Sequence, residues 1–309
     1  MKAEPVISQV TADNAGDGRR KTSDRRSSSV WSRLIHSPGG VIGAALVLLA
    51  LLCALFAPWI SPHSAMIGDL LNRLDPPAWV SGGNSQFLLG TDPLGRDLLS
   101  RIIYGARISL YIGAMSIFIS IVIGVPVGLV AGFYRGWVDD VLMRIADIML
   151  TFPFILFAIL VMALFGPGVN KMVLILGVTG WVGFARVVRG QVLTLRELDY
   201  VVAARIIGAS NTRIIVRHVL PSAWSPIIVL ATLNIAVNIL VASGLSFLGL
   251  GVDPSIPDWG NMLAQGQLYL TSAWWVDTFP GIALMLTVLG FNLLGDWLRD
   301  ITDPLQRHN

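Results

Sequence analysis

The sequence predicts an all-α polytopic membrane protein with six transmembrane helices, and three observations predict it. Hydrophobic residues make up 54% of the 309 and charged residues only 13%, against roughly a quarter charged in an ordinary soluble domain. Long runs of the chain hold no charge at all. The positive charges that remain are mostly arginines, and they collect in alternate connecting segments, as positive-inside topology requires.

Taken in order, the first 28 residues (MKAEPVISQVTADNAGDGRRKTSDRRSS) are polar and poor in aromatics, so they predict a disordered tail that cannot form a core. A polar lead this long, before an apolar run of 20 residues, does not fit a signal peptide. SVWSRLIHSPGG then suits a short interfacial helix, with Trp31 and Leu34 toward lipid and Arg33 toward water. Val41 to Ile60 is the first span. Its 20 uncharged residues include eleven Leu, Ile, Val or Phe. As a helix it covers about 30 Å, the hydrocarbon thickness of a bilayer. After it, Asp97 is placed to cap an amphipathic helix whose Leu98, Leu99, Ile102 and Ile103 form an apolar stripe, with Arg96, Arg101 and Arg107 polar. That helix suits the outer membrane face, or packing on the next span.

Ile108 to Tyr134, Ile148 to Val169 and Thr278 to Gly295 are further uncharged runs, each read as a span. Met172 to Ala185 is only 14 residues and glycine-rich, and counts as a span because six crossings bring both termini to one side. In the 34-residue run Val219 to Val252 the helix is placed at Ser222 to Ala242, followed by an exit loop. The segment Gly244 to Asp277 has no lysine or arginine, and its Trp259, Trp274 and Trp275 read as interfacial anchors of an outer plug.

With the N-terminus inside, only Arg73, Arg96, Arg101, Arg107 and Lys171 of the 22 lysines and arginines fall outside, so both termini are expected in the cytoplasm. The formal charge of +3 is then a topology signal and calls for no nucleic-acid partner. The resulting divisions are a cytoplasmic tail with interfacial helix (1–40), the first span (41–60), an outer segment with amphipathic helix (61–106), a core of five spans (107–298) and a cytoplasmic tail (299–309).

Catalytic chemistry is missing. His36, His63, His218 and His308 are scattered without metal-ligand spacing, and Cys53 is the lone cysteine. Lys21-Thr22 follows Arg20 rather than glycine, so the chain carries no phosphate-cradling loop. Asp92, Arg96 and Asp97 read as structural ion pairing at a turn, with a carboxylate cluster as the alternative. The long spans contain no Asp, Glu, Lys, Arg or His, which weighs against an ion-coupled transporter, although sodium sites built from carbonyls stay open.

One basic loop stands apart: ELDYVVAARIIGASNTRIIVRHVLP, Glu197 to Pro221. Asp199 is placed to cap a helix Tyr200 to Ile207, and Gly208 suits the left-handed position that ends it. Ser210 caps a second helix, Asn211 to Val219, that stops before Pro221. Ile215 and Val219 share one face of it, with Ile214 beside them, and Arg213 and Arg217 share another. Two short helices joined at a glycine make a compact knob. It reads as a solvated connector, a helix-turn-helix DNA reader or a docking surface for a cytoplasmic partner.

Ala203, Ala204, Gly208, Leu220 and Pro221 resemble the "EAA, three residues, G, nine residues, I, one residue, LP" loop of ABC importer permeases, with Val202 at the glutamate place and His218 at the isoleucine place. GTDPLGRDLLSRIIYGARISL (Gly90 to Leu110), LSFLGLGVDPSIPDWGNML (Leu245 to Leu263), FNLLGDWLRDITDP (Phe291 to Pro304) and the first span are similar to the C-type permeases of dipeptide, oligopeptide, glutathione and nickel importers. The resemblance implies a type I ABC importer permease fold in a bacterial inner membrane. It implies a heterodimer with a homologous permease, two P-loop ATPase subunits that hold ATP and Mg, a periplasmic substrate-binding protein and a peptide cargo. This chain itself would bind no cofactor, and its loop would be the coupling helix seated in the ATPase. A nickel-chelate permease of the same family and a secondary transporter are the alternatives. Asn234 and Asn238, four apart in the fifth span, are candidate pore-lining groups, with interhelical hydrogen bonding as the other reading.

Overall fold

Ser37 ends the polar lead by capping a helix: its hydroxyl accepts from the Gly40 N–H at 3.2 Å, and Pro38 occupies the first helical position. The structure, a computed structural model, describes residues 34–302; the expected disordered tail, Trp31, Arg33 and the last seven residues lie outside them. The first helix, α1, is Pro38–Ile60 and matches the expected span. Leu48, Leu49, Leu52 and Leu55 are exposed along it, an apolar surface that only lipid or another membrane subunit can cover.

The second helix departs from expectation. Asp97 does cap it, accepting from the Ser100 N–H at 2.9 Å, but α2 then runs unbroken from Leu98 to Tyr134, 37 residues and about 55 Å. There is no separate amphipathic helix on the outer face. No proline falls between Ser100 and Leu110, and Ser109 continues the helix instead of capping a new one, so the apolar stripe runs on into the span. Of the three arginines only Arg107 is exposed; Arg96 and Arg101 are buried.

The uncharged run Ile148 to Val169 is likewise not one helix. It is divided between α3 (Gly136–Thr151) and α4 (Phe154–Phe165), which are bent by 77°. Phe152 is extended, as a residue before proline prefers, and Pro153 starts the new helix. At 12 residues α4 covers about 18 Å, so it reaches across a bilayer only together with part of α3. The short glycine-rich piece, by contrast, belongs to a full helix, α5, Val169–Leu195.

Beyond a short helix α6 (Asp199–Ile206), α7 extends from Asn211 to Phe247. A brief α8 (Trp259–Gly266) and a long α9 (Trp275–Thr302) complete the chain. Among the described residues five helices are long and apolar enough to cross a membrane, or six if the bent pair is one span.

Packing follows small residues. Gly124, Gly128 and Gly132 lie on the face of α2 toward α5: a Cβ on Gly128 would sit 2.5 Å from the Ala185 carbonyl, and one on Gly132 2.8 Å from Val192. Four-residue spacing puts them in one row, and the two backbones close onto each other there. Around this seam Phe133, Phe184, Val188 and Val192 form a buried cluster with residues of α6 and α7. At the other end, Trp259 and Trp275 are core residues rather than interfacial anchors. Trp259 packs on Gly105 and donates to the Ile102 carbonyl at 3.1 Å, and Trp275 donates to the Thr91 carbonyl at 3.2 Å. Their indole N–H groups find backbone acceptors inside, which removes the reason to sit at a headgroup. Only Trp274 of the three is exposed.

Candidate coupling loop and transport cavity

The knob is built by two turns of sequence. Leu198, not Asp199, holds the cap position of α6, and Asp199 is the first helical residue, where its charge still suits the positive end of the helix. Gly208 ends the helix at φ +85, the left-handed conformation that glycine adopts without cost. Ser210 caps the next helix, accepting from the Arg213 N–H at 3.4 Å. Val201, Ala204, Ile214 and Val219 are buried against Phe133 and Val192, which fixes the knob to the ends of α2 and α5. Arg205 adds a cation over the Phe133 ring at 5.6 Å from its centroid.

Pro221 does not stop the second helix. The chain passes from α-helix (Asn211–Ile214) through five residues of π-helix (Ile215–Val219) into the α-helix Leu220–Phe247. A proline at this place has no N–H for the Arg217 carbonyl and its ring crowds that carbonyl; a wider π turn relieves both. Leu220 donates to the Ile215 carbonyl, five residues back, and the Ser222 hydroxyl donates to the His218 carbonyl at 3.1 Å.

The outward face of the knob is more apolar than the sequence suggests. Ile206 and Ile207 are 80% and 84% exposed, beside exposed Val202, Ala203 and Val216. Arg213 and Arg217 are exposed too, while His218 is half-buried with its ring 6.4 Å from that of Tyr200. Helical periodicity gave Ile206 and Ile207 no reason to stand out from Val201 and Ala204; their position at the glycine turn does. Two bare isoleucines at a glycine turn make this an exposed apolar patch on an otherwise basic loop.

Ion pairs brace the surrounding elements. Arg189 of α5 donates twice to Asp139 of α3, at 2.5 and 2.6 Å, and Arg186 pairs with Asp147 at 2.6 Å. Arg135 reaches Glu197 at 3.0 Å. The fork geometry of the first pair holds α3 in orientation as well as in place.

Behind the break between α3 and α4 lies a cavity of about 670 Å³, walled by α3, α4, α5 and α7. Asn238 lines it and donates to the Ser116 hydroxyl at 2.8 Å, so it is both an interhelical bridge and a wall residue. Asn234 donates to the Leu230 carbonyl of its own helix at 2.8 Å and does not line this cavity.

At the end remote from the knob, Asp92, Arg96, Asp97 and Arg101 are buried as a structural set. Arg96 pairs with Asp92 at 2.6 Å, Arg101 lies 3.4 Å from the same carboxylate, and Asp97 is spent on its helix cap. Nearby Asp258 caps α8, accepting from the Asn261 N–H at 3.2 Å. Burial pushes its carboxyl above the ordinary value, against the opposing hydrogen bonds from Asn261 and Ser109. No cluster of three or more metal-ligating side chains occurs among the described residues.

Comparison with known proteins places these features in a lineage. Residues 124–308 match the family model for the binding-protein-dependent transport system inner membrane component, and residues 27–77 match the N-terminal TM domain of oligopeptide transport permease C. A di/tripeptide transport system permease protein, DppC, of Pseudomonas aeruginosa is 45% identical over 276 residues, covering 89% of this chain and 90% of the relative. A glutathione transport system permease protein, GsiD, of Pectobacterium atrosepticum is 42% identical over 274 residues, covering 89% of each. The dipeptide permease DppC of Alkalihalophilus pseudofirmus is 41% identical over 264 residues, 85% of each. Among solved structures, an inward-facing MetNI methionine ABC transporter chain superposes with a TM-score of 0.54 at 20% identity, over 67% of this chain and 98% of the other.

Proposed function

This chain belongs to the family of binding-protein-dependent transport system inner membrane components, and from that membership we infer that it is one membrane half of an ATP-driven importer whose cargo is peptide. The relatives named for di/tripeptides, dipeptides and glutathione support peptide over a nickel chelate. A homologous permease would supply the other half, a periplasmic binding protein would deliver cargo, and two P-loop ATPases would hold ATP and Mg. Both termini would lie in the cytoplasm, with the chain multi-pass in a bacterial inner membrane.

The observation that carries the coupling role is the bare Ile206–Ile207 pair, presented at a glycine turn and backed by the buried Val201, Ala204, Ile214 and Val219. Seated in an ATPase groove, Val202, Ala203, Ile206 and Ile207 would supply apolar contact, and Arg213 and Arg217 a charged rim. Movement of the ATPases would then pass through the knob into α7, opening the path alternately to each side.

Replacing Gly208 with Asp tests this. A Cβ there meets nothing within 4 Å, so the substitution acts through backbone strain of about 1 kcal/mol that re-aims the turn and through a charge set beside the exposed Ile206 and Ile207. Membrane levels should hold while ATPase co-purification and ATP-dependent uptake are both lost. If Gly208→Asp retains both at equal membrane levels, the loop is only a connector.

A further inference from the structure

We propose that the cavity behind the α3–α4 break receives an uncharged apolar side chain of the transiting peptide, while Thr179 and Asn238 accept hydrogen bonds from its backbone N–H groups. The proposal rests on reading the chain as a peptide permease and specifies what that permease passes.

The lining decides the chemistry. Met149, Phe152, Phe157, Leu176, Val237 and Val241 are typical of the wall, and none of the residues around the cavity is ionisable. A volume of about 670 Å³ accommodates a large aliphatic or aromatic side chain with part of its backbone. A carboxylate entering it would lose its hydration and meet no cation. The free carboxylates of glutathione are therefore excluded from this station, and a neutral leucine or phenylalanine side chain is favoured.

The polar groups point the same way. The Ser116 hydroxyl donates to the Gly113 carbonyl at 3.0 Å, so toward Asn238 it accepts, and the amide nitrogen of Asn238 must be the group facing it. This orients the Asn238 carbonyl oxygen away from that bridge, and no protein donor reaches it among the described residues. Thr179 commits its proton to the Ile175 carbonyl at 2.7 Å, which leaves lone pairs on its oxygen. Two acceptors in the lining of an apolar, uncharged cavity complement a donor, and a peptide backbone brings N–H donors next to an apolar side chain.

The walls also connect the cavity to the knob. Val237, Asn238 and Val241 belong to α7, the helix that begins at Asn211, and Phe152 and Pro153 form the break itself. A motion of either element changes the cavity, as a station on an alternating path requires.

The test uses the complete importer, with its binding protein, in proteoliposomes, and compares uptake of leucyl-leucine and glycylglycine. Val237 is half-exposed and lines the cavity, so Val237→Trp fills the space without crowding the buried core. It should lower leucyl-leucine uptake about tenfold and leave glycylglycine within about twofold of wild type. Thr179→Val should raise KM for both peptides about threefold or more with little change in kcat, and Thr179→Ser should restore it. Equal loss of both peptides with Val237→Trp would mean that a lipid tail or a helix of the partner permease fills the cavity, and would overturn the proposal. So would undiminished uptake of both. Wild-type importer that accumulates neither peptide would instead overturn the peptide reading itself.

Discussion

The seam between α2 and α5 makes the sharpest stability prediction. Replacing Gly128 with alanine puts a methyl carbon 2.5 Å from the Ala185 carbonyl oxygen and 2.8 Å from Val188 Cβ, where ordinary contact begins at 3.4 Å. The backbones must part by about 0.9 Å, and because Gly132 sits in the same row, the gap runs along the seam. Overpacking of this kind costs about 1–3 kcal/mol. Alanine's better helix propensity returns about 1 kcal/mol of it. Gly183 on α5 separates the two effects, since a Cβ there meets nothing within 4 Å. Gly183→Ala keeps the propensity gain without the clash, so the difference between the variants isolates the steric part. At about 2–4 °C per kcal/mol for a chain of this size, thermal unfolding of purified permease in one detergent should place Gly128→Ala several degrees below Gly183→Ala. Transitions that coincide within about 1 °C would refute the close-packed seam.

Other perturbations read other parts of the molecule. Asp258→Asn keeps the helix cap. Because burial raises the Asp258 pKa in the fold, this group's contribution to stability is greatest below the unfolded carboxylate pKa and is lost as pH rises through the folded one. The variant should therefore match or exceed wild type in Tm at pH 8, and its Tm should vary less between pH 4 and pH 7; a steeper pH slope in the variant contradicts that account. Pro221→Ala gives Arg217 a donor and lets the π turn tighten by one residue, rotating the knob about 100° relative to the rest of α7. ATP hydrolysed per peptide imported should rise at unchanged membrane levels, and an unchanged ratio removes the π turn from the mechanism. Lys171 donates to the carbonyls of Phe165 and Gly166 at the end of α4. Lys171→Met should cost no more than about 1 kcal/mol, seen as a small drop in Tm with uptake retained.

What the sequence made legible follows from which forces act locally. Charge-free runs identify spans because an unpaired charge in hydrocarbon is costly wherever it lies; α1 and α9 were found that way, whereas the short run inside α5 was counted only because six crossings bring both termini to one side. Gly208 and Ser210 were legible because a left-handed turn and a helix cap are properties of a few neighbouring residues. Hydropathy could not see the α3–α4 break, since Phe152 and Pro153 are as uncharged as their neighbours; the residue-before-proline rule carried that signal. Asp199 was misplaced by one residue because any acid near a helix start satisfies the same local preference. Trp259 and Trp275 were misread because burial of an indole depends on distant acceptors, Ile102 and Thr91, that no local pattern announces. The cavity needed four elements in register, of which the sequence singled out only Asn238.

The length of α7 has a mechanical consequence. From Asn211 at the knob to Asn238 at the cavity the chain is one unbroken rod, whose π turn bulges but does not part it. Those 27 residues make an arm of about 40 Å. Pivoted near its foot, such an arm converts a tilt of about 10° into a sweep of about 7 Å at Asn238, more than a helical turn. Its interruptions, the π turn at Ile215–Val219 and Pro226, both lie on the foot side of Asn238, so the helix from Pro226 to Asn238 moves as one piece. The geometry therefore gears a small push at the foot into a large displacement of the cavity wall.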